Sequence, residues 1–113
     1  MTNQTNHISH INKTAIITGA SRGIGAAIAK KLASCGYNLS LCCRNSSDRL
    51  KALADELHCA YGIEVLCYTG NVGDFFFAKD MVANTISHFG HIDVLINNAG
   101  ISHIRRNGTI SWR

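Results

Sequence analysis

Thr14-Ala15-Ile16-Ile17-Thr18-Gly19-Ala20-Ser21-Arg22-Gly23-Ile24-Gly25 joins a short apolar run to the start of a helical pattern through a glycine-rich turn. Thr14 to Thr18 reads as a strand, and Ile24, Ile28 and Leu32, four apart with Ala27 beside them, share one face of a helix from about Gly23 to Cys35. A pyrophosphate needs backbone N–H groups aimed at it and no side chain in the way. Glycines allow that approach, and a helix N-terminus adds partial positive charge. Gly19, Gly23 and Gly25 therefore read as a phosphate-binding loop, spaced G-x-x-x-G-x-G. A plain tight turn could use the same glycines, but the strand before them and the helix after favour the phosphate reading.

The same alternation continues outward. Gly36 is a stop signal, and Asn38-Leu39-Ser40-Leu41-Cys42-Cys43 reads as a second strand. Ser46 or Ser47 can cap a second helix that puts Leu50, Leu53, Ala54 and Leu57 on one face, with Lys51 and Asp55 outside. After Gly62 comes a third strand, Ile63 to Tyr68. Asp74 suits the N-cap of a third helix with apolar positions at Ala78, Val82, Ile86 and Phe89, ending at Gly90. A fourth strand spans about Ile92 to Asn97. Strands alternating with helices imply right-handed βαβ units around a parallel sheet. The expected fold class is α/β: a Rossmann-like doubly wound sheet, its N-terminal half, in strand order 3-2-1-4. Ligands of such sheets lie beyond the strand C-termini where the order reverses. Thr18, Cys43 with Arg44, Asn71 and Asn97 all stand at those ends.

At 113 residues the chain has room for one domain. The expected division is a polar N-terminal tail over 1–12, a nucleotide-binding unit over 13–101 and an irregular tail over 102–113. No apolar run is long enough to span a bilayer, so no membrane role is expected. The five cysteines are odd in number and form no C-x-x-C, which points to reduced thiols in the cytoplasm. Cys42 and Cys43 adjoin on a strand and should face opposite ways. A net charge of +4 without a long basic stripe or aromatic platforms argues against nucleic acid. The histidines are scattered and make no metal site; solvated or satisfied side chains are the expectation.

Asn97-Asn98-Ala99-Gly100 follows the fourth strand. With Thr18-Gly19-Ala20-Ser21-Arg22-Gly23-Ile24-Gly25 at this distance, the chain resembles the short-chain dehydrogenase/reductase family over about Lys13 to Ile101. It looks most like the NADP-dependent carbonyl reductases, including ketoacyl-carrier-protein reductases. The resemblance implies that Ser21, Arg22 and the Ile24 backbone contact the cofactor. It implies adenosine-side contacts at Asn98, Ala99 and Gly100, while Asn97 could equally serve the sheet. Asn71 and Val72 match the adenine positions, where the family usually has an Asp; Asn71 could instead only shape the turn before Asp74.

In this family's fold the end of the second strand decides the cofactor. An acid there binds the ribose 2′-hydroxyl and repels a 2′-phosphate. This chain has Cys43 at that position, then Arg44, and no acid before Asp48. A guanidinium suits a phosphate, so Arg44 with Arg22 favours NADP over NAD; ordinary surface cations are the competing reading. The family's chemistry uses a Ser and a Tyr-x-x-x-Lys pair after the N-N-A-G motif. No such pair occurs here: Tyr37, Tyr61 and Tyr68 precede the motif and are followed four residues on by Leu41, Val65 and Val72. No catalytic residue is assigned. The expectation is a fragment with the cofactor-binding half of an NADP-dependent reductase. A non-catalytic nucleotide-binding or interaction module, or a product without function, is the alternative. With no fifth strand expected, the fourth should form an apolar edge that drives self-association or recruits a partner completing the sheet.

Overall fold

Every residue of Thr14–Thr18 is buried, and this run forms the central strand β1. The computed structural model describes residues 12–98, with the backbone of residues 103–104 and 110–111. The polar stretch 1–11, Ala99 and Gly100 lie outside the described residues. From β1 the chain forms α1 (Gly23–Ser34), β2 (Asn38–Cys43), α2 (Ser47–Tyr61), β3 (Val65–Thr69), α3 (Phe75–Phe89) and β4 (Val94–Asn97). All strand pairs of this sheet are parallel, in the order β3-β2-β1-β4. That is the doubly wound order, with its reversal between β1 and β4.

Strand alternation divides the core into two layers. Ala15, Ile17, Leu39, Leu41 and Cys43 pack against α1 and against Leu50, Leu53 and Leu57 of α2. Ile16 and Cys42 face the other way, onto Met81, Phe77 and Val82 of α3. Cys42 and Cys43 thus lie on opposite sides. The α2 stripe is the one its spacing predicts, and the fully buried Leu50 and Leu57 each contribute about 1.5–3 kcal/mol.

The inner face of α1 differs from the periodicity. Gly25, Ala29 and Ala33 form the buried line, with Ile28 and Leu32 half-buried beside it. Ala27 is exposed and Ile24 is 71% exposed. Small side chains let the helix axis come close to the sheet, so the larger residues wedge at the flanks. In α3, Met81 and Thr85 are the buried residues and Ile86 is 45% exposed. The Thr85 hydroxyl donates to the Met81 carbonyl at 2.7 Å, which uses its only proton, so Ser40 of β2 donates to Thr85 Oγ1 at 2.7 Å. A polar bridge thus joins β2 to α3 inside that layer.

Two strand starts shift by two residues. Ile63 and Glu64 precede β3, because Glu64 N–H donates to Asn38 Oδ1 at 3.0 Å and pairing begins at Leu39 opposite Val65. Asp93 precedes β4 and locks onto Thr14: its carboxylate accepts the Thr14 N–H and its own N–H donates to the Thr14 carbonyl, both at 2.8 Å. Within 102–113, expected to be irregular, β5 (His103–Ile104) and β6 (Ile110–Ser111) pair antiparallel in a separate two-stranded sheet.

Candidate dinucleotide site

The chain leaves β1 at Gly19, with φ +63°, and enters α1 at Gly23, with φ +62°. Both glycines supply the left-handed conformation at little steric cost. Between them Ala20 is buried and its N–H donates to the Cys42 carbonyl at 3.0 Å, fastening the loop to the end of β2. A side chain at Gly23 would stand in open space, whereas a Cβ at Gly25 would meet the Gly19 carbonyl and, at 2.8 Å, Asn98 Nδ2. The third glycine thus serves the loop's closure onto its own helix.

The end of β4 holds the loop from the other side. Asn98 Nδ2 donates to the Gly19 carbonyl at 3.2 Å, and Thr18 Oγ1 donates to Asn97 Oδ1 at 3.0 Å. These bonds span the reversal point of the sheet. No side chain caps the N-terminus of α1, and no acid stands in its first turn. Its leading N–H groups keep their partial positive charge for an anion. An anionic diphosphate fits this loop: the glycines leave it bare and the helix end is uncapped.

Arg22 is exposed at the N-cap of α1, and its Nη2 donates to Ser46 Oγ at 3.1 Å. Arg44 is exposed just past β2, while Cys43 before it is buried. The Gly70 N–H donates to the Cys43 carbonyl at 2.9 Å and carries the rim on to β3. There Asn71 is exposed and its Oδ1 accepts the Gly73 N–H at 2.8 Å. The amide shapes the turn, and its oxygen retains a second lone pair. Val72 is half-buried against the α3 layer.

The rim therefore brings Gly19, Ser21, Arg22, Gly23, Ile24, Gly25 and Asn98 together around one loop, with Arg44 at the neighbouring strand end and Asn71 and Val72 one strand further. Sequence reasoning missed Ser46 as a site neighbour, reading it only as a helix cap. It also missed Gly70, where a Cβ would lie 2.7 Å from Phe77 Cδ1; no spacing signal marks either residue. His58, His88 and His91 each have a protein partner: His58 Nδ1 lies 2.7 Å from the Ile63 carbonyl, His88 Nε2 2.8 Å from Glu64 and His91 Nε2 3.0 Å from Asp93.

Residues 13–111 match the short chain dehydrogenase family. The chain belongs to that family. Among curated short-chain dehydrogenase relatives, the 3-oxoacyl-(acyl-carrier-protein) reductase of Staphylococcus epidermidis is 44% identical over 92 residues, covering 81% of this chain and 37% of the relative. The Staphylococcus aureus reductase of the same name is 41% identical over the same length. The chain thus spans well under half the length of these relatives.

Solved structures agree. An alcohol dehydrogenase from the archaeon Thermococcus sibiricus, complexed with 5-hydroxy-NADP, superposes with TM-score 0.74 at 41% identity, covering 83% of this chain and 40% of that one. The L-sorbose reductase of Gluconobacter frateurii, complexed with NADPH and L-sorbose, gives 0.74 at 38% identity, over 82% of this chain and 35% of that one. Among the described residues no helix is long and apolar enough to cross a membrane.

Proposed function

We propose that this short-chain dehydrogenase chain carries the dinucleotide-binding part of an NADP-dependent reductase that interconverts a carbonyl and an alcohol. One observation carries the cofactor reading: two exposed arginines, Arg22 at the uncapped N-terminus of α1 and Arg44 just past β2, stand where no acid closes β2. Gly19, Gly23 and Gly25 would cradle the pyrophosphate, with Ser21 and the Ile24 N–H contributing. Arg22 and Arg44 would hold the 2′-phosphate. Asn71 and Val72 would border the adenine, and Asn98, Ala99 and Gly100 the adenosine ribose. When bound, the nicotinamide supplies or accepts the hydride. Two of the structural neighbours above are complexes with NADP-type cofactors, which supports the assignment. All five cysteines are free thiols, in keeping with a cytoplasmic setting.

Titration of the 113-residue chain with NADPH and NADH tests this. NADPH should bind more tightly, and Arg44→Asp should weaken NADPH about tenfold or more with little effect on NADH. Equal affinities for the two cofactors would remove the reading. By itself the chain should oxidise no NADPH with a panel of ketones, because it holds no Tyr-x-x-x-Lys pair. A second reading, a nucleotide-binding interaction module, draws on Leu95, which is 61% exposed on β4, the outermost strand among the described residues. Saturable ketone reduction by the purified chain would exclude it.

A further inference from the structure

The three helices start in different ways. Asp74 caps α3 in the usual manner, accepting N–H bonds from Phe76 at 2.9 Å and Phe77 at 3.4 Å. Arg22 and Ser46, at the N-caps of α1 and α2, make no capping bond to their own helices. They bond each other instead, Arg22 Nη2 to Ser46 Oγ at 3.1 Å. Serine is a good capping residue, so a serine that gives its oxygen to a neighbouring guanidinium has been diverted from the more common partner.

The geometric effect is on Arg22. A free arginine side chain on a loop samples many rotamers. Ser46 gives this one an anchor beside the end of β2, where Arg44 also stands. One guanidinium edge is occupied by the serine; a guanidinium has five N–H donors, so others remain to be directed at an anion.

We propose that Ser46 is a positioning residue for cofactor choice: it holds the Arg22 guanidinium across the gap between the two uncapped helix ends, ready for the 2′-phosphate. The inference rests on the NADP reading above and adds a residue to it. Ser46 acts through Arg22, not by supporting α2.

The test is calorimetric titration of the full chain with NADPH and with NADH, for wild type, Ser46→Ala, Ser46→Thr, Arg22→Ala and the Ser46→Ala/Arg22→Ala pair. Ser46→Ala should weaken NADPH about three- to tenfold and leave NADH unchanged. Ser46→Thr, which keeps the hydroxyl, should restore NADPH binding. In the Arg22→Ala background Ser46→Ala should cost nothing further, because its partner is gone. The thermal midpoint of Ser46→Ala should match wild type, since no capping bond is lost. A wild type that binds NADPH and NADH equally overturns the cofactor reading and this inference with it. A wild type that prefers NADPH while Ser46→Ala changes nothing, weakens both cofactors alike or adds fully to Arg22→Ala overturns the Ser46 role alone.

Discussion

Gly25 shows how a single missing atom can set the shape of a site. Its Cα stands so near the Gly19 carbonyl and Asn98 Nδ2 that any β-carbon would force the loop, the helix or the β4 end to move. Gly25→Ala should therefore destabilise the chain by about 1–3 kcal/mol and weaken NADPH and NADH together. Urea unfolding and cofactor titration measure the two effects, and a fully stable variant would mean that the loop yields freely. Cys42 illustrates burial acting on chemistry. Lying beneath α3, its thiol is pushed up to about 11 by desolvation, with the neighbouring Cys43 adding to the effect. It should stay unreactive to a thiol-directed disulfide reagent at pH 8 while the exposed Cys59 reacts at once. The folded form holds its proton longer than the unfolded chain, so Cys42 makes stability fall as pH rises from about 9 toward 11. Rapid labelling of Cys42 in the native chain would contradict its placement.

The elements differ in how they are fastened. α2 rests on an apolar stripe, whereas α3 adds its Asp74 cap and the Ser40–Thr85 bridge to a smaller apolar contact centred on Met81. Asp74→Ala should cost about 1 kcal/mol, seen as a lower urea midpoint with unchanged slope. Thr85→Val leaves the buried Ser40 hydroxyl without its acceptor and should cost about 1–3 kcal/mol. Adding Ser40→Ala to Thr85→Val should recover part of that loss, since no donor then remains unpaired. Strictly additive losses would show that the two hydroxyls act independently. The three helix faces were not equally legible. Leucines four and three apart on α2 announce their buried side. On α1 the buried line consists of Gly25, Ala29 and Ala33, and small residues carry little hydrophobic signal beside Ile24, Ile28 and Leu32. On α3 the buried Thr85 reads as polar until its partner on β2 is known.

At the scale of the whole molecule, β1 is flanked on both sides, and β4 pairs only with β1 among the described residues. Its backbone groups line an edge that carries the exposed Leu95, without the lysines or prolines that blunt such edges. Phe75 and Phe76, 69% and 72% exposed, add apolar surface at the start of α3. The 113-residue chain should self-associate with rising concentration, measured by size-exclusion chromatography with light scattering. A monomer across the whole range, with a sharp reversible thermal transition, would show that this edge is protected.

The sequence by itself determined the order of strands and helices and the glycine loop between β1 and α1, because each depends on local periodicity or on a residue's own backbone freedom; the parallel doubly wound arrangement then follows from the handedness of βαβ connections. The tertiary structure alone decided that the buried side of α1 is its small-residue line, that Asn98, just past β4, clasps the loop from 79 residues away, and that Ser46 serves Arg22 instead of its own helix. Those outcomes depend on how closely two backbones approach and on which distant partner a polar group meets. Neither is encoded in the spacing of neighbours along a chain.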